Sequence, residues 1–430
     1  MKRMFSDDFA VYLPAVNETY ANFLSKAIPN ERPFSDAFTL NDLMFWKGNS
    51  KLFYHPHYLH SVGNYKIGSN PSNVITQRGI SDGTLFGDSG GYQIGTGKLK
   101  GIDTLKANMD GDAACLAWRE AYEARFWMLN FLETHTNYAM TIDMPLWATT
   151  RPDTPFCNCT PKQLTDLTIE NLKFIDSHRL GYTKWLNVIQ GSDVATMKNW
   201  WDEVKWFKGS GYSLSSIICR RHGIAGILEL LLIMRDAKAF DEGNDWLHIL
   251  GISTARWAIV FTALQHGLQA TANSKLRISY DSASPYLDAG ERDLMAFLPD
   301  LDANTKSWNI QTEKAPQSRK FLNDPTELSQ FTSPSPIAKL IKLGHLNVND
   351  DDGMDTRRQL DPLASVLIAN HNVWVYLETF KQANELTFVS SSNRVPSIYK
   401  ECLESIKYLF TVEDWASELI KEKPTLDRFK

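Results

Sequence analysis

Asp88-Ser-Gly-Gly-Tyr-Gln93 brings a carboxylate, two glycines, an aromatic ring and an amide into six consecutive residues. The glycines let backbone approach a ligand closely, and the ring and amide are groups that stack on and hydrogen-bond a flat heterocycle. Leu85 and Phe86 run into Asp88, so the acid falls where a buried strand breaks into a loop. Ser89, Gly90, Gly91, Tyr92 and Gln93 therefore form a candidate nucleobase site. A second carboxylate, Asp281, lies in Ser-Tyr-Asp-Ser-Ala-Ser-Pro, where small residues leave its oxygens approachable. Two carboxylates facing one pocket can run a double displacement at a sugar carbon. One attacks the anomeric carbon; the other protonates the leaving group and then reverses role. In a nucleoside the leaving group is the base, which assigns Asp281 as nucleophile and Asp88 as acid/base. Asp143 and Gln190 suit guanine, since a carboxylate accepts from N1–H and the 2-amino group while an amide donates to O6. Tyr92 stacked on the ring would contribute about 1–3 kcal/mol. Taken singly, an aspartate at a strand end ordinarily caps a helix or forms a turn, Gln190-Gly191 reads as a turn, and Tyr92 as a core ring. The ordered set is what points to chemistry.

These residues need a frame that brings them together. Short β-rich runs at Thr84–Asp88, Tyr138–Asp143, Lys184–Gln190, Tyr212–Ile218, Trp246–Gly251 and Arg277–Asp281 alternate with helical patterns. The helical patterns cover Asp112–Glu133, Pro161–Arg179, Val194–Phe207, Ile224–Phe240 and Thr254–Leu268. Alternation at this spacing predicts parallel βα units. Its repetition over about 200 residues favours a closed (β/α)8 TIM barrel, a fold of typically ~250 residues. A doubly wound open sheet is the runner-up, but no Gly-x-Gly-x-x-Gly opens a helix. Asp88, Asp143, Gln190 and Asp281 all fall at the C-terminal ends of predicted strands, where barrel enzymes place their active groups. The division expected is a barrel with an N-terminal extension over 1–295 and an appended, mostly helical C-terminal region over 296–430. Within the latter, 300–335 reads as long loops, Asn349–Gly353 as an exposed acidic turn, and Asp361–Leu386 and Val412–Lys423 as helices.

Composition bounds the function classes. Hydrophobic residues at 43% and charged residues at 22% are ordinary for a soluble globular chain. The N-terminus has no apolar leader-like run and no uncharged stretch is long enough to span a bilayer, so no membrane partner is expected. Five scattered cysteines suggest a reducing, cytoplasmic compartment. A net charge of −5 gives no long-range help to a polyanion, so any nucleic acid must be held by a local basic patch. Arg220 and Arg221, with Lys98 and Lys100, are the candidate phosphate contacts; solvated surface is the alternative for all four.

The hexapeptide Asp88–Gln93 resembles the signature of the tRNA-guanine transglycosylase superfamily, in which its Asp is the general acid/base and its aromatic stacks on the base. Ile142-Asp143-Met-Pro is similar to the segment whose Asp recognises guanine, and Asn187-Val-Ile-Gln190-Gly191-Ser to the Val-Gln-Gly segment whose Gln reads the base. His248-Ile-Leu250-Gly251 resembles the Leu-Met-Gly strand that lines the pocket, and Tyr280-Asp281-Ser the nucleophile segment. Order and approximate spacing agree across residues ~80–285. The resemblance implies a barrel that exchanges guanine for a free 7-deazaguanine base through a covalent glycosyl-Asp281 intermediate. Departures are informative. The family's Cys-x-Cys-x-x-Cys and distant His, a closed zinc site, has no counterpart here, because only Cys402 follows Asp281. The resemblance therefore implies no cofactor, and the usual basis of the family's C-terminal element and dimer is missing. The Gly-Gly-Leu segment is degenerate as Leu214-Ser-Ser-Ile217, and Ala283-Ser-Pro285 replaces the Pro-Thr-Arg after the nucleophile. Such divergence looks like the DNA-modifying branch, the DpdA family of DNA-guanine transglycosylases of phages and bacterial islands. The expected partner is then DNA, in a bacterial or phage-infected cytoplasm, with a preQ0-like base inserted. Alternatives are the same exchange in tRNA and a non-catalytic barrel that binds nucleic acid as a subunit.

Two further clusters invite a metal. His55-Pro-His57-Tyr-Leu-His60 reads as loop histidines that pack or hydrogen-bond. Cys157-Asn-Cys159, with His178 or Cys219, could in principle hold zinc, but buried or loop thiols are the plainer reading.

Overall fold

Eight parallel strands form one sheet in the order β1-β8-β7-β6-β5-β4-β3-β2. They are β1 (Val11–Pro14), β2 (His57–Ser61), β3 (Thr84–Asp88), β4 (Tyr138–Met140), β5 (Lys184–Ile189), β6 (Gly211–Ser215), β7 (Trp246–Leu250) and β8 (Arg277–Ser282). The computed structural model describes residues 4–28, 34–79, 81–316, 324–346, 360–390 and 392–429. The acidic run Asn349–Gly353 and the first three residues lie outside the described residues. A bridge between Ala15 and Leu59, with Val16 N–H donating to the Leu59 carbonyl at 2.8 Å, joins β1 to β2 and nearly closes the barrel. The architecture is the expected (β/α)8 barrel with a helical C-terminal region.

The helices begin where side chains stop the chain from continuing as strand. In α5 (Pro161–His178), Thr160 caps the Gln163 amide, Gln163 reaches back to the cap, and Pro161 supplies a preset first turn. Asp193 caps α6 (Val194–Val204), Thr254 caps α8 (Ala255–Thr271), and Asp361 caps α10 (Pro362–Asn384). The expected helix over Asp112–Glu133 is two helices, α3 (Gly111–Glu120) and α4 (Tyr122–His135), broken at Ala121. The strand expected to reach Ile218 stops at Ser215, and α7 (Ile217–Asp236) begins at once, with a break at Gly223. Arg220 and Arg221 thus sit on a helical turn and not in a loop.

Inward-facing Val11, Leu13, Leu59, Phe86, Met140, Leu186, Val188 and Trp246 fill the barrel. Phe86 stacks on Tyr138 at 4.8 Å between ring centroids and leans on Trp246 at 5.0 Å. This aromatic plug closes the barrel below the strands' C-terminal ends, so a ligand can enter only from above.

The histidine cluster has a structural job. His55 Nε2 lies 2.8 Å from the Tyr12 carbonyl, and His60 Nδ1 lies 2.7 Å from the Val16 carbonyl. Both bonds cross the β1–β2 seam, and His57 and His60 belong to strand β2, not to a loop. Burial lowers the His60 pKa to about 4, against the opposing pull of its bond to Val16.

The C-terminal region shares its core with the barrel. After the short α9 (Ser284–Glu291) and strand β9 (Leu294–Phe297), α10 packs on α8, α9 and β1. Phe380 of α10 meets Tyr12 edge-on at 4.9 Å and Tyr280 at 5.7 Å, so α10 covers the outer faces of β1 and β8. Three consecutive polar residues in α10 tie it down. Asn370 donates to the Tyr20 hydroxyl, His371 lies 2.9 Å from the Ala296 carbonyl, and Asn372 donates to the Leu294 carbonyl and accepts from the Ala296 amide. α11 (Ser397–Thr411) then packs on α8, and α12 (Trp415–Asp427) on α7 and α11.

Candidate active site

Strand ends carry the candidate groups to one place, except that β4 stops at Met140, so Asp143, expected to end that strand, sits three residues on in the loop after it. Asp88 is the last residue of β3, Gln190 follows β5, Leu250 ends β7, and Asp281 is next to last in β8. Asp88, Gly91, Tyr92, Asp143, Gln190, Leu250, Gly251 and Asp281 line one cavity of about 250 Å³ at the C-terminal mouth of the barrel. Leu59, Pro145, Trp147, Ser215 and Ser216 complete the wall. The two carboxylates assigned to the displacement, and the two groups assigned to guanine, therefore face the same space.

The Asp88 carboxylate sits in a polar pocket. Burial raises its pKa, the Ser61 hydroxyl opposes this, Asp281's charge adds to the rise, and the Gly90 amide and His248 pull it back. Ser61 is paired opposite Asp88 across β2 and β3. The loop after Asp88 depends on close backbone approach: Gly90 adopts φ 81°, and a Cβ there would meet the Gly63 Cα at 2.8 Å. Only glycine fits both the dihedral and the gap. A Cβ at Gly91 would instead come to 3.4 Å from Asp143 Oδ1, so this glycine leaves the carboxylate open to the cavity.

Asp143 accepts a 2.6 Å bond from Gln190 Nε2. It is only 4% exposed, and burial raises its pKa to about 7, with the Gln190 bond lowering it and Asp88's charge raising it. Gln190 keeps a second amide proton free for a ligand, so the pair presents an acceptor beside a donor. Asp281 is 9% exposed. Its Oδ1 accepts a 2.6 Å bond from the Gly251 amide, and His248 Nε2 stands 3.3 Å from the same oxygen.

Tyr92 is 58% exposed and tilts against Trp147, ring centroids 5.9 Å apart. The two rings stand at the mouth, with the Arg151 guanidinium 5.4 Å over Trp147. Gln93 and Ser89 do not line the cavity: Gln93 Oε1 lies against Gly63, and the Ser89 side chain is buried. Gly191 lies outside it too, against Met197. Arg220 donates to the Gly251 carbonyl, so it buttresses the turn that holds Asp281. Lys100 bonds the Asn64 carbonyl and pairs with Glu18 at 3.4 Å. Arg221 and Lys98 are exposed.

Sequence reasoning passed over Trp147 and the His248 side chain. The period of two in β7 was the signal for His248, since it shares a face with Leu250. For Trp147 the only signal was its place in the loop after Asp143. The metal alternatives are not assembled: among the described residues no three His, Cys, Asp or Glu groups converge as ligands. Cys115 and Cys159 are buried with sulfurs 3.9 Å apart, while His178 stacks on Phe174 at 4.3 Å. Among the described residues no helix is long and apolar enough to cross a membrane.

No protein-family model matches the chain, and no curated protein matches it.

Proposed function

We propose that this protein is a DNA-guanine transglycosylase that exchanges guanine for a 7-deazaguanine base through a covalent glycosyl-Asp281 intermediate. The observation that carries the reading is the convergence of Asp88 and Asp281 with the Asp143–Gln190 pair around one cavity. At about 250 Å³ that cavity is smaller than sites for drug-sized ligands, which run about 300–1,000 Å³. It suits a single base turned out of its strand better than an oligosaccharide. An exposed Tyr92 beside Trp147 supplies the stacking surface that such a base needs.

Mechanism follows from the placement. Asp281 attacks C1′ as the C1′–N9 bond breaks, and the bonding pair leaves with guanine, which takes a proton from Asp88. The raised pKa of Asp88 favours the protonated form that this step requires. Asp143 accepts from N1–H and the 2-amino group, and Gln190 donates to O6. An incoming 7-deazaguanine then gives its N9 proton to Asp88, its N9 pair bonds C1′, and the ester's C–O pair returns to Asp281. The target nucleotide must be flipped out or single-stranded for C1′ to be reached.

Labelled 7-deazaguanine incubated with the protein and either DNA or tRNA tests the reading. Incorporation into DNA is expected, with none for Asp281→Ala. Incorporation confined to tRNA, or undiminished in Asp281→Ala, overturns it.

A further inference from the structure

A buried hydrogen-bond chain runs beneath Asp281, and the displacement chemistry does not by itself explain it. Trp246 Nε1 donates to Ser279 Oγ at 2.7 Å, and Ser279 Oγ lies 2.8 Å from His248 Nδ1. Ser279 and His248 are wholly buried. The proton inventory orders the chain. An indole nitrogen can only donate, so one lone pair of Ser279 is taken. If His248 Nδ1 also donated, the serine proton would have no acceptor among the described residues, at a cost for a buried hydroxyl. The hydroxyl therefore donates to Nδ1, which puts the imidazole proton on Nε2. That nitrogen stands 3.3 Å from Asp281 Oδ1, too far off line for a hydrogen bond in the ligand-free protein, and has no other hydrogen-bond partner among the described residues, so it is poised to donate when Asp281 shifts.

We infer that His248 is a positioning residue that, with the Gly251 amide, holds Oδ1 of Asp281 and leaves Oδ2 as the attacking atom. This rests on the proposed transglycosylase chemistry. Oδ1 accepts the Gly251 amide and has His248 Nε2 3.3 Å away, whereas Oδ2 meets no protein donor among the described residues. The consequence is asymmetric between the two displacements. When Oδ2 bonds C1′, Asp281 becomes an ester and its Oδ1 loses charge, so donors on Oδ1 gain nothing. When the ester C–O bond breaks, its electron pair returns to the carboxylate, and donors preorganised on Oδ1 stabilise the charge as it develops. His248 thus favours Asp281 as leaving group and keeps the covalent adduct from becoming a dead end.

Two measurements test this. In single-turnover experiments His248→Phe, which keeps a ring against Phe86, is expected to release guanine at close to the wild-type rate. Its resolution of the adduct is expected to slow by roughly 10- to 100-fold, the size of one charge-assisted hydrogen bond, so that protein-linked DNA accumulates. His248→Gln, whose amide can donate to Oδ1, is expected to restore most of the resolution rate. Equal slowing of both steps, or no adduct accumulation in His248→Phe, overturns the inference while leaving transglycosylation standing. Nitrogen NMR of the histidines in the ligand-free protein reads the tautomer without any activity. A proton on Nε2 that shifts in Asp281→Asn is expected, and a proton on Nδ1 overturns the chain as ordered here. A wild-type protein that exchanges no base fails the transglycosylase reading itself, and the asymmetry falls with it.

Discussion

Replacing Asp143 with Asn should stabilise the protein while abolishing the guanine recognition proposed for it. The Asp143 pKa is raised from 3.8 to about 7, chiefly because burial penalises the charged form. In the unfolded chain the group ionises near its ordinary value. A raised folded-state pKa gives stability that is complete below the unfolded value and lost as pH climbs through about 7. At about 1.4 kcal/mol per pH unit, the buried charge costs on the order of 4 kcal/mol by pH 8. Asparagine keeps an oxygen for the 2.6 Å bond from Gln190 and carries no charge. Allowing about 1 kcal/mol for the lost bond to its own backbone amide, the variant should gain about 3 kcal/mol at pH 8. Near pH 4 the gain should vanish or reverse slightly. Urea unfolding of both proteins at several pH values measures this, and taking the difference removes the contributions of groups that do not interact with Asp143. A difference that does not change between pH 4 and pH 8, or a variant less stable throughout, refutes the reasoning. The same variant should fail to bind guanine at any pH.

Exchange by the wild type should follow a bell-shaped pH profile. Activity falls on the acid side as Asp143 is protonated below about 7, and falls on the alkaline side as Asp88 loses the proton it must deliver; a flat profile from pH 5 to 9 would contradict the assigned roles. Asn372→Ala leaves the Pro285 and Leu294 carbonyls and the Ala296 amide without their partner. It should cost about 3 kcal/mol in a single unfolding transition, and separate transitions for barrel and C-terminal helices would show that the two do not share a core. Charge reversal at Arg221 and Lys98, both exposed, should weaken DNA binding and flatten its salt dependence by about one unit of slope per lost contact. Unchanged salt dependence would remove both residues from the phosphate path.

Local pattern made much of the site legible. Strand-ending acids at Asp88 and Asp281, an amide at Gln190 and small residues at Gly90 and Gly91 are chain-local features, and period-two runs place them on strand ends without reference to the rest of the molecule. The helix starts at Thr160, Asp193, Thr254 and Asp361 are local for the same reason, since a cap needs only its own first turn. Six strands could be read this way. β1 and β2 could not: His57–Ser61 reads as a histidine cluster, and Val11–Pro14 stands outside the regular strand–helix alternation that marks the other six. Its strand character comes from pairing with β8, more than 260 residues away.

What the amino-acid order determined by itself is the inventory of reactive groups and the βα rhythm that points them to one end of a barrel. Tertiary structure alone decided the rest: the histidines at 55 and 60 became staples across the β1–β2 seam, and Arg220 became a brace on Gly251. It also set the ionisation of Asp143 and made the C-terminal helix α10 the outer wall of β1 and β8. The reason is physical. Hydrogen-bond partners, dielectric surroundings and buried faces are properties of neighbours in space, and here those neighbours come from distant parts of the chain.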